Sequence, residues 1–206
     1  MQEFIHTIEK YRKAIAPDII FIPEISICRT ENNDFKEYQI ETVLEILKLN
    51  YFDSIDMVGD ENISPVQFKE LYHKCRMIGM DTKMHIGEST SYENIYQALA
   101  ELEVQEIQHG ISAADSPELM KLLRDKNTTL HICPTSNIML NHTKDYTFPQ
   151  LRTLIDHQVK VTINTDDLLI FDSTISEEYL KLFQSGNFSA QELDDIRLHG
   201  LSYRSK

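Results

Sequence analysis

The chain has 206 residues and a mass of 24.0 kDa, enough for one sizeable core, and its 41% hydrophobic and 26% charged residues are those of an ordinary globular protein. A formal charge of −13 argues against nucleic acid or an anionic membrane as the main partner, since both select basic surfaces, and leaves room for a small uncharged ligand. Cys28, Cys75 and Cys133 are widely spaced with no CxxC, which fits a reducing cytoplasm, and no apolar run has the length of a membrane span. The opening MQEFIHTIEK is mixed and charged, unlike a signal peptide, so a cytoplasmic location is expected.

Short β-rich runs alternate with segments of helical period along the whole chain. DIIFIPEIS (18–26) reads as the first strand, and Ile40, Val43, Leu44 and Leu47 then follow helical spacing. FDSIDMVGD (52–60) is the second strand. Ser64-Pro65, a capping serine with proline at the first helical position, opens a helix that Gly79 closes. TKMHIGE (82–88), VQEIQHGI (104–111), TLHICPTSN (129–137) and VKVTINTDD (159–167) supply four more strands. Between them lie the stripe Ile95, Ala98, Leu99 and Leu102, a second Ser-Pro start at Ser116-Pro117, and the stripe Leu151, Leu154 and Ile155.

This order predicts a parallel sheet with crossover helices, either open and doubly wound or closed into a barrel. No G-x-G-x-x-G is present, and four of the six strand candidates end in a His, Asp, Glu or Gly cluster, which favours a site at the C-terminal mouth of a barrel. Six strand–helix units are fewer than the eight of a complete barrel, so the expectation is an incomplete TIM-type (β/α)8 barrel forming one domain over 1–206.

Polar residues follow the apolar runs at His85, Glu88, His109 and the pair Asp166-Asp167. Singly, each has a bland explanation: a packed histidine, a turn before Gly110, a solvated acid, a helix N-cap pair. Together, two imidazoles and a carboxylate at successive strand ends suggest a divalent transition metal, most simply zinc, whose charge makes two adjacent acids tolerable. His6, His73, His157 and His199 fall on or near helices and read as surface residues, as does the acidic run ELDD (192–195). His142 lies in a loop, and the sequence leaves His131 undecided.

The ordered set VGDE (58–61), HIGE (85–88), QHGI (108–111), CPTSN (133–137) and NTDDLLIF (164–171) resembles the adenosine deaminase family of metal-dependent purine hydrolases, from the family's third strand to its eighth. The resemblance implies one Zn2+ per site with His85 and Asp166 as ligands. It makes Glu88 the acid that protonates the purine N1 as water attacks C6, and His109 the residue that orients that water and takes its proton. Asp167 would contact N7, and the backbone N–H of Gly59 would contact N3. The partner implied is a small purine nucleoside, with no nucleic acid and no membrane. The chemistry needs Glu88 protonated, which an enclosed apolar mouth favours, and Asp166 ionised.

The chain departs from the family pattern in named places. The family begins with a strand carrying H-x-H, two further zinc ligands, and none of the eight histidines here forms such a pair. Ile86 stands where Ala is usual, Gln108 for Gly, His131 for Glu and Leu168 for Pro. Two functions are therefore expected in competition: a zinc-dependent deaminase of adenosine or a related aminopurine, or a non-catalytic remnant that binds a nucleoside or protein partner. Open strand edges would favour self-association or complementation by an N-terminal piece. The cytidine-type deaminases are set aside, because they need H-x-E with a later P-C-x-x-C.

Overall fold

The computed structural model describes residues 1–202. The chain divides into two compact units, one ending at Thr82 and the other starting at Lys83.

The first unit opens with α1 (Gln2–Ile15), which buries none of its residues. The strand expected over 18–26 is displaced, for β1 is Glu24–Cys28. Pro23, with no N–H to give a ladder, stands just before the paired residues, and Ile19 and Ile20 are left 54% and 70% exposed. Asn32 caps α2 (Asn33–Leu47) by accepting from the N–H of Phe35. Strand β2 (Ser54–Val58) pairs in parallel with β1, Glu24 opposite Ser54 through Cys28 opposite Val58. The expected Ser64-Pro65 start is present as a 3₁₀ turn, Pro65–Phe68, that runs into α3 (Lys69–Met77). Gly79 ends α3 at φ +85°, its N–H on Arg76 O while the Met80 N–H reaches Cys75 O, the paired bonds of a left-handed helix stop. The first residues of β3 (Asp81–Ile86) pair with Ser54 and Ile55 of β2.

The second unit takes the rest of β3 and pairs it with β4 (Glu106–His109), β4 with β5 (Thr129–Ile132) and β5 with β6 (Lys160–Ile163), all parallel. Its helices are α4 (Tyr92–Gln97), continued by a π turn at Ala98–Leu102, α5 (Pro117–Lys126), α6 (Pro134–Met139), α7 (Pro149–Asp156), the short α8 (Leu168–Phe171), α9 (Ile175–Gln184) and α10 (Ala190–Ser202). Ser116 caps α5 as its Ser-Pro start predicts, accepting the Leu119 N–H at 3.2 Å.

Register gives these four strands two unlike faces. Met84, Ile86, Ile107, Leu130, Ile132, Val161 and Ile163 alternate onto one face and are at most 5% exposed. Each such side chain stabilises the fold by about 1.5–3 kcal/mol, an upper figure because the unfolded chain already hides some area. The intervening Lys83, His85, Glu106, Gln108, His131 and Thr162 share the opposite face. Strands buried against helices on both sides carry apolar runs; here strict alternation makes one side polar. Among the described residues no helix is long and apolar enough to cross a membrane.

Candidate functional site

The polar face of the second unit lines a cavity of about 360 Å³, with Lys83, His85, Gln108, His109, His131, Cys133, Asn164 and Asp166 in its wall. Its floor is a chain of hydrogen bonds across three strands, extended to a fourth by an ion pair. Asn164 Nδ2 donates to Thr162 Oγ1 at 2.9 Å, Thr162 lies 2.8 Å from His131 Nδ1, and His131 Nε2 lies 2.9 Å from Glu106 Oε2. Lys83 Nζ approaches the same carboxylate oxygen at 3.6 Å. One hydrogen assignment satisfies this path: Thr162 donates to Nδ1, and Nε2 donates to Glu106. His131, undecided from sequence, is thus a buried linker in the cavity floor.

Above the floor, the turns after the strands bring the expected acids and imidazoles together. His109 is the last residue of β4, and strict alternation would send it to the apolar face with Ile107. A left-handed backbone, φ +61° at His109 and +68° at Gly110, turns the chain at that point. Gly110 cannot be replaced without displacement, since a Cβ there would lie 2.9 Å from Ile107 Cγ2 and 3.0 Å from Leu130 Cδ2. The neighbouring turn is tied to it by the Ser112 N–H on Gly87 O at 2.9 Å.

The result is an imidazole between two carboxylates. His109 is 3% exposed, with Nδ1 3.3 Å from Glu88 Oε1 and Nε2 3.9 Å from Asp166 Oδ2. Asn137, fully buried within α6, bridges the first pair: its Nδ2 donates to Glu88 Oε1 at 2.8 Å and lies 3.2 Å from His109 Nδ1. Asp166 also has a left-handed backbone, φ +58°, and its Oδ1 accepts the Asp167 N–H at 2.8 Å. Positive φ at two non-glycine residues of one site is a cost of about 1–3 kcal/mol each, of the sort that clusters at functional centres.

His109, Cys133 and Asp166 each offer a donor atom within 4.8 Å of the other two. Nitrogen, sulfur and oxygen at such spacing fit zinc's ligand chemistry. His85 stands beside this group, its ring centroid 5.3 Å from that of His109. Burial, then the charges of Asp166, Glu88 and Glu178, push the Cys133 thiol well above its ordinary value.

Of the residues expected from sequence, His85, Glu88, His109 and Asp166 gather here. Asp167 is exposed at the start of α8, and its side chain makes no cap bond, so the pair of acids is not a simple helix cap. Gly59 belongs to the first unit, after β2, at φ +95°; a Cβ there would lie 2.8 Å from Cys28 Sγ. The buried Arg29 holds the turn by donating from Nη1 to Gly59 O at 3.3 Å. Cys133, Asn137 and the floor residues were not singled out as site residues from sequence. The signal for the floor and for Cys133 was period-two alternation through KMHI, EIQH, TLHIC and KVTIN.

A family model described as adenosine deaminase matches residues 4–203. A curated adenine deaminase from Crocosphaera subtropica is 32% identical over 176 residues, covering 82% of this chain and 53% of that protein. Among solved structures, an adenine deaminase from Arthrobacter aurescens superposes with TM-score 0.81 at 20% identity over 90% of this chain and 56% of its own. An amidohydrolase from Burkholderia ambifaria with bound zinc gives TM-score 0.74 at 23% identity over 88% and 50%. The structural likeness shows the fold, the α/β class of the barrel deaminases, of which this chain carries part. The chain spans about half the length of these relatives.

Proposed function

Because the chain belongs to the adenosine deaminase family, we propose that the cavity of its second unit takes an aminopurine and serves hydrolytic removal of the exocyclic amine, with zinc as cofactor, in purine metabolism. The observation that carries this reading is His109 standing between Glu88 at 3.3 Å and Asp166 at 3.9 Å, one ring nitrogen towards each. The reaction consumes one water, breaks the C6–N bond, forms C6=O and releases ammonia. Zinc held by His85 and Asp166 would supply a Lewis acid that brings the pKa of a water near 7.

The chain's own residues handle the protons. Glu88 gives one to ring N1 as the ring loses aromaticity, and the His109 imidazole orients the water and takes its proton. Asn137 suits both states of Glu88. Its Nδ2 now donates to the carboxylate, and its Oδ1 is buried with no hydrogen-bond partner, so turning the amide presents an acceptor to the protonated acid. Asp167 is assigned to N7 of the base.

A second reading, a non-catalytic remnant of the fold that binds a nucleoside or a protein partner, is favoured by one observation: these 206 residues contain no H-x-H pair. Ammonia release from adenosine and adenine, with zinc content after dialysis, separates the two. Ammonia with stoichiometric zinc supports the deaminase; no retained metal and no ammonia overturns it and supports the remnant.

The three widely spaced cysteines, with no CxxC, fit a cytoplasmic protein. Among the described residues, β1 pairs only with β2 and β6 only with β5. Self-association or complementation through those outer edges is accordingly part of the proposal, read by sedimentation.

A further inference from the structure

We propose that Glu178 is a positioning residue for the deamination: from α9 it fixes the start of α6 and thereby aims the Asn137 amide at Glu88 and His109. Its catalytic consequence rests on the deaminase reading, to which it adds a residue outside the cavity wall.

Helix α6 has no cap of its own at its start. Cys133 at the N-cap makes no side-chain cap bond, and Pro134 at the first helical position has no N–H. The first N–H in need of a partner is that of Thr135, and it donates to Oε2 of Glu178, 43 residues further on, at 3.0 Å. Glu178 is fully buried, and its Oε1 has no hydrogen-bond partner among the described residues. Lys181, on the same helix, is directed elsewhere, its Nζ donating to Ser173 Oγ at 3.2 Å and standing 5.5 Å from the centre of the Tyr146 ring. A carboxylate enclosed on those terms is costly, and a hydrocarbon of its size would pack there at less cost. Stability alone therefore does not account for an acid at this position.

Thr135 is the node through which Glu178 acts. Its hydroxyl lies 2.8 Å from the Tyr146 hydroxyl and donates to Ser173 Oγ at 3.2 Å. Ser173 follows α8, which starts from Asp167, so one threonine ties α6 both to α9 and to the segment that carries Asp166 and Asp167. Two residues on, the Asn137 backbone is held from both sides. Its N–H donates to Cys133 O at 2.9 Å, and its carbonyl accepts the N–H groups of His142 and Thr143 at 2.8 and 3.2 Å. Where the Asn137 amide points is then decided by the seating of α6, and it points at Glu88 Oε1, 2.8 Å away, and His109 Nδ1, 3.2 Å away. A misplacement of about 1 Å caused far from the chemistry can cost about 10²-fold in rate.

The test compares the full chain with Glu178→Leu, which keeps the bulk and leaves the Thr135 N–H without its acceptor, and with Glu178→Gln, whose amide oxygen can still accept it. The readouts are kcat and KM for ammonia release, and the side-chain amide NMR signal of Asn137, assigned by its absence in Asn137→Ser. In Glu178→Leu, kcat per folded molecule should fall by about 10²-fold with KM unchanged, and the Asn137 signal should move. Glu178→Gln should restore both. Should Glu178→Leu fail to fold, Glu178→Asp, which withdraws the carboxylate by one methylene, must move the same signal and lower kcat. A lower melting temperature with kcat and the Asn137 signal both unchanged marks a structural cap and overturns the proposal, as does a Glu178→Gln that behaves like Glu178→Leu. A parent that releases no ammonia overturns the deaminase reading instead. The Asn137 signal then decides alone: movement supports the hold of Glu178 on that amide, and an unmoved signal refutes it.

Discussion

The two faces of the second unit's strands are built from the same residues in alternation and do opposite things. Leu130 and Ile132 turn to the apolar face and are fully buried, whereas His131, between them, turns to the cavity and bonds Thr162 and Glu106. The apolar face is held by packing alone and tolerates any well-shaped hydrocarbon. The polar face must satisfy each donor and acceptor it encloses, so its identities are specified by chemistry. Function should therefore be separable from stability by substituting across a single strand.

The largest expected effect is catalytic. Glu88→Gln keeps the shape of the side chain and removes its acid, so ammonia release should fall by about 10²- to 10⁴-fold, the range for loss of a general acid. Thermal melting should barely move, because Glu88 is bound through one amide and one imidazole in a half-buried turn. A large drop in melting temperature with preserved specific activity would reverse the roles assigned to the two faces.

The apolar face should answer in the other direction. Leu130→Ala removes a fully buried side chain that also packs beside Gly110, and should cost about 2–5 kcal/mol in urea unfolding. Metal binding per folded molecule should be kept, since no donor atom is touched. If metal binding falls while stability holds, Leu130 supports the His109 turn directly and the separation of faces fails at that point.

The same contrast explains what could be read in advance. The last five strands in chain order, the Ser-Pro starts and the stop at Gly79 are local signals, and each stands where the residues place it. The first strand was misplaced because Ile19, Ile20 and Phe21 carry β propensity while Pro23 limits the ladder, and propensity has no term for where hydrogen bonds begin. His85, Glu88, His109 and Asp166 were legible because an acid or imidazole directly after an apolar run is conspicuous. Cys133 and Asn137 were not, since a small thiol and an amide after a strand look like ordinary turn residues. His109 reaches the site only through a left-handed residue that breaks the alternation, and no pattern in the letters announces a positive φ at histidine.

A carboxylate outside the cavity of the polar face gives the smallest effect and sharpens the comparison by its pH dependence. Glu192, in the acidic run that reads as a solvated helix start, accepts the Ser189 N–H at 2.9 Å and the Ser189 hydroxyl at 2.7 Å, and pairs with Arg152 Nη1 at 2.8 Å. The Ser189 bonds first, and Arg152 after them, hold its carboxyl down at about 2. A folded-state value below the unfolded one stabilises the protein above the ordinary carboxylate range. That contribution drains away as pH falls from about 4.5 towards 2. Glu192→Gln should thus melt lower than the parent at neutral pH, by about 1 kcal/mol as for a lost cap, and the two should converge in acid. Partial exposure and salt screening keep the effect small. Because Glu192 is not in the wall of the cavity, ammonia release and metal binding should be unchanged at neutral pH. A gap that widens in acid would mean that the carboxylate is protonated in the folded protein and that the Ser189 cap is not what α10 rests on.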